Sequence, residues 1–165
     1  MSPVLVALGS NIAPAERIAQ AARLLKSAFP GVRFSAAYRN PAAGFAGADF
    51  INAAARFDTA LTMDEVRARL QSIEAACGRQ PDDPKWAPRA MDIDILLFGD
   101  AVSDRPGLQL PRADLLRRAY MLGPAAELEP ERMHPIARRP LALLWRELAP
   151  QCPPLTRLAL DLNAE

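Results

Sequence analysis

The sequence has a single histidine, His134, and only two cysteines, Cys77 and Cys152. One histidine excludes zinc sites that need two histidines, and it excludes any histidine-based triad away from residue 134. The two cysteines are too far apart for a Cys-x-x-Cys pair and too few for a disulfide framework, which is typical of a protein from a reducing cytoplasm. We therefore expect any bound metal to have oxygen ligands.

Neither an excess of charge nor a long apolar run is present. Twenty Lys and Arg against nineteen Asp and Glu give a formal net charge of +1, so no overall field favours nucleic acid or a membrane surface. No stretch has the length of a membrane span, and residues 1–9 do not resemble a basic leader. A Gly-x-x-x-x-Gly-Lys loop is absent as well, which excludes a P-loop kinase. These features predict a cytoplasmic protein that contacts neither nucleic acid nor membrane. We expect it to be a monomer, although none of these features bears on its oligomeric state.

Half of the residues are apolar, which is sufficient for one domain, and we expect residues 1–165 to form a single one. Apolar runs predict four main strands, at residues 4–8, 32–38, 50–57 and 91–98. Helical spacing of apolar residues predicts two helices between them, at 14–29 and 62–77. The order is typical of an α+β, ferredoxin-like core (βαββαβ), with helices on one face of a mostly antiparallel sheet. Shorter elements are expected near the end, with strands at 108–110 and 155–162 and helices at 122–128 and 141–148.

Two carboxylates interrupt the last apolar strand. Asp92 and Asp94 are two residues apart, so they share one face of a strand, while Ile93, Ile95 and Leu97 are expected on the other. The simplest explanation is a salt bridge or a solvated sheet edge. However, the preceding residues 79–90 form a long, proline-containing loop with cationic and aromatic side chains, which favours a site for Mg²⁺ and polyphosphate.

Residues 85–96, Lys-Trp-Ala-Pro-Arg-Ala-Met-Asp-Ile-Asp-Ile-Leu, resemble the signature of 6-hydroxymethyl-7,8-dihydropterin pyrophosphokinases. The resemblance continues over most of the chain, at residues 7–11, 38–41, 50–54, 71–79 and 118–122. It implies an ATP-dependent diphosphotransferase of folate biosynthesis. By this resemblance, the pterin hydroxymethyl oxygen would attack the β-phosphorus of ATP, and the products would be AMP and the pterin diphosphate.

The resemblance also implies residue roles. Asp92 and Asp94 would hold two Mg²⁺ ions and, with Arg79 and Arg89, form the catalytic group. The implied ATP-binding residues are Gln71, Glu74, Arg79, Trp86, Arg89, Ile95, Arg112 and Arg118. The loop would close as a lid that excludes water. Glu74 could equally be an ordinary exposed helix residue.

For the pterin, the resemblance implies a ring stacked between Phe50 and Tyr120. Its amide edge would be read by Asn52 and by the backbone of Asn40 and Ala43. Asp92 would complete this site. Phe50 and Asn52 are two apart on a strand and share a face, and an amide offers both a donor and an acceptor to a lactam. Taken alone, Phe50 would be assigned to the core and Asn52 to a strand end.

The sequence departs from the family at two positions that bear on the nucleotide. Arg112 stands where a histidine is common, and Pro81 stands where some relatives have a second lid arginine. Two other functions therefore remain open. One is a paralogue that binds pterin or nucleotide without catalysis. The other is a ferredoxin-like RNA-binding domain, although the interleaved aromatic and basic strand motif is missing.

Overall fold

The computed structural model describes residues 1–41, 49–79 and 90–164. Eight strands are present in this part of the chain: β1 Ser2–Ser10, β2 Arg33–Phe34, β3 Tyr38–Asn40, β4 Phe50–Thr59, β5 Asp92–Phe98, β6 Ser103–Arg105, β7 Leu108–Leu110 and β8 Thr156–Arg157. The α-helices here are α1 Pro14–Ala28, α2 Met63–Ala76, α3 Ala119–Leu128 and α4 Leu141–Leu148, with 3-10 turns at Ala113–Leu116 and Ala149–Gln151.

The main sheet has the order β5-β1-β4-β3-β8, with β2 also paired to β4, and the pairings are antiparallel. The predicted mixed class, an antiparallel sheet with packed helices, is confirmed. The strand predicted at residues 32–38 is divided into β2 and β3. Between them, Ser35 bonds Ala54 through both its backbone and its hydroxyl: Ser35 N donates to Ala54 O (2.9 Å), and Ala54 N donates to Ser35 Oγ (2.8 Å). The hydroxyl thus takes the place of a backbone carbonyl at this point.

Each face of the sheet has its own apolar core. Helices α1 and α2 cover one face with the periodic residues that predicted them, among them Ile18, Leu25, Val66 and Leu70. The C-terminal helices α3 and α4 cover the opposite face, where Leu5, Ala7 and Ala54 meet Met121, Leu122 and Leu141. The core helices thus share one face, as predicted, and the added helices make the other face a second layer.

Local sequence sets the beginnings of the first two helices. Pro14 occupies the first turn of α1, where a missing N–H has no cost. The predicted capping box of α2 is present, because Glu65 N donates to Thr62 Oγ1 (3.2 Å) and Thr62 N donates to Glu65 Oε1 (3.0 Å). At the other end of α2, Arg17 Nη1 of α1 donates to Cys77 O (2.6 Å). This bond fixes the end of α2 just before Arg79.

Side chains of β5 alternate between the two faces of the sheet from Asp92 to Ile95, but the alternation is interrupted after Ile95. Ile93 and Ile95 pack with α1 and α2, as predicted. Leu97 was expected with them, and this was wrong: it packs in the core on the opposite face. The reason is a register shift between Leu5 and Val6, which places one extra residue, Leu96, in β5 and reverses the alternation.

The C-terminal segment returns to the sheet. Only Thr156–Arg157 of the predicted last strand is paired, to β3, and Leu162 is buried in the core with β1. Cys77 is buried and Cys152 is partly buried, and both are unpaired. None of the helices within residues 1–41, 49–79 and 90–164 combines the length and apolar character of a membrane span.

Candidate active site

Two cross-strand rows bring the predicted site residues onto one face of the sheet. Asp92 of β5 is in register with Gly9 of β1, which is in register with Asn52 of β4, itself opposite Tyr38 of β3. The next row on this face joins Asp94, Ala7 and Ala54. Because directly opposite residues share a face, the acid pair and the Asn52 carboxamide lie on the face covered by α3.

Gly9 makes room for the Asn52 side chain. A Cβ atom at Gly9 would lie 2.7 Å from Asn52 Oδ1 and 3.8 Å from Phe50 Cδ1, so only glycine permits this approach. Asn52 Nδ2 donates to Asn40 Oδ1, and Asn40 Nδ2 donates to Pro41 O (3.1 Å). Both asparagines are buried. The carboxamide of Asn52 is therefore held in a fixed orientation, with Phe50 beside it on the same face.

Arg79 joins Asp92 to a buried glutamate. Its Nη1 lies 2.5 Å from Asp92 Oδ1 and 2.7 Å from Glu74 Oε2. Glu74 Oε2 also accepts the backbone N–H of Ile93 (2.7 Å). Only 7% of Glu74 is exposed, so the alternative of an ordinary exposed helix residue is wrong. Glu74 thus fixes both the guanidinium and the strand between the two aspartates.

Burial dominates the ionisation of Glu74. Loss of water raises the pKa of Glu74, and the charges of Asp94 and Asp92 add to this rise. The Ile93 hydrogen bond and the Arg79 charge act against it. A charged carboxylate at this buried position would destabilise the fold if it lacked the hydrogen bonds from Ile93 N and Arg79 Nη1.

Asp94 has a looser cationic partner. Arg112 Nη1 lies 3.6 Å from Asp94 Oδ1, and 30% of the Asp94 side chain stays exposed. Burial of the carboxylate raises the pKa of Asp94, and the Arg112 charge opposes this effect. The nearby Asp92 charge raises the pKa further. Two close carboxylates that repel each other attract a divalent cation.

A cleft of about 280 Å³ opens beside β5, which is an edge strand of the main sheet. Its walls come from α2, from β5, and from the β6–β7 hairpin with the residues that follow it. The lining residues are Arg67, Leu70, Gln71, Glu74, Arg79, Ile93, Asp94, Ile95, Gly107, Leu108, Gln109, Leu110 and Arg112. The cleft thus combines apolar side chains with three arginines and Asp94, which suits a ligand with an apolar part and an anionic part.

Tyr120 of α3 is partly buried near the acid pair. Burial raises the pKa of Tyr120, and the surrounding charges are those of Arg118, Asp114, Asp94 and Arg112. Arg118 is the N-cap residue of α3 and does not line the cleft. Its predicted contact with ATP stays a prediction.

The donor set of the acid pair fits magnesium. Within the described residues, no group of three or more His, Cys, Asp or Glu side chains could hold a metal ion. Mg²⁺ does not need such a cage, since it binds through one or two carboxylates with substrate phosphates and water. Asp92 and Asp94, on one strand face beside a cleft that is lined by arginines, meet that requirement.

The structure thus brings together most of the described candidates. Gln71, Glu74, Arg79, Ile95 and Arg112 line the cleft with Asp94, and Phe50, Asn52 and Asn40 lie together on β3 and β4. Ala43, Pro81, Trp86 and Arg89 lie outside the described residues. The sequence interpretation missed Arg67 and Gln109 of the cleft. Arg67 precedes Gln71 by four residues on α2, so helical periodicity could have found it.

Comparisons with known proteins show which family the chain belongs to. A family model described as 7,8-dihydro-6-hydroxymethylpterin-pyrophosphokinase (HPPK) matches residues 5–130. A protein from Pseudomonas aeruginosa named 2-amino-4-hydroxy-6-hydroxymethyldihydropteridine pyrophosphokinase is 37% identical over 154 residues, which are 91% of each chain. A protein of the same name from Aquifex aeolicus is 34% identical over 143 residues, 86% of this chain and 89% of that one.

Among solved structures, Plasmodium falciparum HPPK-DHPS with SDX-DHP aligns with a TM-score of 0.67 at 12% identity. The alignment covers 92% of this chain and 44% of that one, so the chain spans less than half of that protein, and the likeness shows the fold alone. The match to the family model and the sequence identities above show that the chain belongs to the HPPK family.

Proposed function

We propose that this chain transfers a pyrophosphoryl group from ATP to 6-hydroxymethyl-7,8-dihydropterin, with AMP and the pterin diphosphate as products. Family membership confirms the predicted enzyme class, an ATP-dependent diphosphotransferase of folate biosynthesis. One observation supports the site best. Asp94 lines the cleft beside β5, and Asp92, two residues away, belongs to the row that leads to Asn52, so a phosphate bound on one side could meet a hydroxyl bound on the other.

We propose that ATP occupies the cleft. Leu70, Ile95 and Leu108 offer apolar surface for the base, and Gln71 offers an amide. Arg79 and Arg112 stand at the end of the cleft where Asp94 lies, so the phosphates are expected there. Arg89 and Trp86 complete this site in the proposal, on the strength of the sequence resemblance alone.

The pterin would lie on the sheet face near Gly9, under α3. Asn52 is fixed by Asn40, so its carboxamide offers a preorganised edge to the pterin lactam. Phe50 and Tyr120 are the proposed stacking partners, and Ala43 is the proposed source of backbone hydrogen bonds. With both ligands in place, the hydroxymethyl group would point towards the acid pair.

The proposed reaction forms a bond between the hydroxymethyl oxygen and the β-phosphorus. It breaks the bond from that phosphorus to the oxygen shared with the α-phosphate. AMP leaves, and the hydroxyl proton is released. Asp92 and Asp94 would hold two magnesium ions, which would neutralise negative charge on the phosphate oxygens, including the oxygen that leaves with AMP. Arg79, fixed by Glu74, adds a positive charge that needs no reorganisation during the reaction.

Four finer assignments belong to the same proposal. The strand order supports a ferredoxin-like core, with β3 and β2 together as its second strand. Residues 1–165 are taken as one pterin pyrophosphokinase domain, because Leu162 packs into the same core as β1. A monomer that contacts neither nucleic acid nor membrane, and a cytoplasmic location, stay predictions from the sequence.

The experiment that tests this function is product analysis with purified protein, ATP, Mg²⁺ and 6-hydroxymethyl-7,8-dihydropterin. We expect AMP and a pterin diphosphate, with no AMP when pterin is omitted or EDTA is added. ADP as the product would contradict the proposed attack at the β-phosphorus. Pterin binding without any AMP would favour the non-catalytic paralogue.

A further inference from the structure

We propose that Arg112 is the resident counter-ion of Asp94: in the protein without nucleotide, its guanidinium neutralises this carboxylate and keeps divalent cations from binding before ATP. The inference rests on the proposed function, because it concerns the acid pair that would hold magnesium. It assigns to Arg112 an effect on cation binding that is separate from its expected contact with phosphate.

The position of Arg112 suits a cation that can move. Its backbone is anchored, since Arg112 N donates to Leu96 O (3.0 Å) directly after β7. Its side chain is held less firmly: Nη1 is 3.6 Å from Asp94 Oδ1, which is an ion pair beyond hydrogen-bond distance. Its buried Nε has no hydrogen-bond partner among the described residues. The guanidinium is thus kept near Asp94 by charge, with donors to spare for an incoming phosphate.

Arg79 on the other aspartate provides a contrast. It lies 2.5 Å from Asp92 and is also tied to the buried Glu74 at 2.7 Å. Because of this second carboxylate, Arg79 stays in the site whatever happens at Asp92. Arg112 has no second ion pair within the described part of the chain. Of these two arginines, Arg112 is therefore the one whose guanidinium can move away from its aspartate.

Charge balance then determines the order of binding. Among the described residues, Arg79 and Arg112 oppose the charges of Glu74, Asp92 and Asp94, so a divalent cation that enters without ATP meets the positive charges of these two arginines. Two such cations and the triphosphate of ATP have charges of similar size and opposite sign. The net charge of the site therefore changes little when the two cations and ATP bind together. The phosphates also give the Arg112 guanidinium a better partner, because phosphate accepts its paired donors.

The permanent charge of arginine is essential to this effect. A histidine at this position would be largely neutral above its ordinary pKa and would leave Asp94 open to cations. Arginine stays charged throughout the working range of pH. This chain is therefore expected to admit magnesium mainly together with nucleotide.

The test is Mn²⁺ binding, measured by electron paramagnetic resonance at constant ionic strength, with and without ATP and always without pterin. The variants are Arg112→Gln and Arg112→Met, which remove the charge, and Arg112→Lys, which keeps it. Arg117→Gln is the matched control, because it removes the same charge from an exposed side chain. Circular dichroism verifies that each variant is folded.

Without ATP, we expect Mn²⁺ to bind Arg112→Gln and Arg112→Met tighter than wild type by roughly tenfold or more. Arg112→Lys and Arg117→Gln should stay near wild type. With ATP the sign should reverse, because the same two variants lose a phosphate partner and bind Mn²⁺ with ATP more weakly. A variant that merely disturbs the fold would weaken binding in both conditions.

An unchanged or weaker Mn²⁺ affinity in both neutral variants without ATP would overturn the proposal. The experiment needs no turnover, so it can fail while wild-type protein still forms AMP, and it can succeed in a protein that forms none. Failure of this inference and failure of the proposed function are therefore separate results.

Discussion

Replacement of Glu74 separates a structural contribution from a catalytic one. Glu74 Oε2 accepts one hydrogen bond from Ile93 N and one from Arg79 Nη1, each at 2.7 Å. Glu74→Gln keeps an oxygen for the Ile93 N–H but loses the negative charge. Glu74→Ala loses both. The two variants therefore differ chiefly in whether a buried backbone donor has an acceptor.

The magnitude follows from that donor. A buried N–H without a partner costs about 1–3 kcal/mol, so Glu74→Ala should be less stable than Glu74→Gln by that amount. In a domain of this size, each kcal/mol corresponds to about 2–4 °C of Tm. We add nothing for the Arg79 ion pair, because 31% of the Arg79 side chain is exposed and water replaces part of the interaction. Both variants take away the Glu74 charge that holds Arg79, which leaves Asp92 as its charged partner among the described residues, and should lower AMP formation by about 10- to 100-fold.

Urea denaturation of the two variants and wild type measures the difference in stability, and AMP formation measures the second effect. Equal stability of the Gln and Ala variants would refute the assignment of Glu74 as the acceptor for Ile93. Full activity in both variants would refute the statement that Glu74 fixes a functional arginine.

Three other predictions concern the pterin side and the C-terminal loop. Gly9→Ala places a methyl group 2.7 Å from Asn52 Oδ1, so calorimetry should show weaker pterin binding with ATP binding retained; equal losses for both ligands would point to general damage. Asn52→Ala should weaken pterin binding by roughly 1–3 kcal/mol, because a buried amide contact is lost, and an unchanged affinity would remove Asn52 from the site. His134 is buried, which lowers its pKa, and its Nδ1 accepts the N–H groups of Ile136 (3.2 Å) and Ala137 (3.0 Å). The neutral ring thus stabilises the fold above the ordinary histidine pKa of about 6.5, and this stability is lost as pH falls towards the lower pKa of the folded state. Urea denaturation at about pH 8 and about pH 5.5 should show a larger loss in wild type than in His134→Asn, and equal losses would exclude His134 as the cause.

Much of the fold could be predicted because local patterns agree with the tertiary structure. The helical spacing of Ile18 and Leu25, the capping box at Thr62, and the apolar run before Gly9 each have one physical interpretation. The division of the second strand could not be predicted, since it depends on a hydrogen bond that the Ser35 hydroxyl accepts from Ala54 N, nineteen positions away in the sequence. The reversal at Leu97 depends on a bulge, which arises from pairing with β1 and leaves no local signal.

The candidate site divides in the same way. The spacing of Asp92 and Asp94 showed that they share a face, and the resemblance to a family named the residues around them. Sequence could not show that Glu74 turns inward to Arg79 and Ile93, because a helix position is compatible with either solvent or core until its neighbours are known. It could not show that Arg112 meets Asp94 either, because that distance is set by the packing of the β6–β7 hairpin against β5. The Pro106-Gly107 pair between β6 and β7 is a local sequence signal for the turn of this hairpin.

The central claim is that the acid pair joins a nucleotide site to a pterin site, and that Asp94 serves the metal and the phosphates rather than the pterin ring. The most direct test compares wild type with Asp94→Ala in the same preparation, by pterin binding in calorimetry and by Mg²⁺-dependent AMP formation. We predict that pterin affinity is unchanged and that AMP formation is lost, because the Asp94 carboxylate lines the cleft beside Arg112, where the phosphates are proposed to bind. Retention of AMP formation, or loss of pterin binding, would contradict the account.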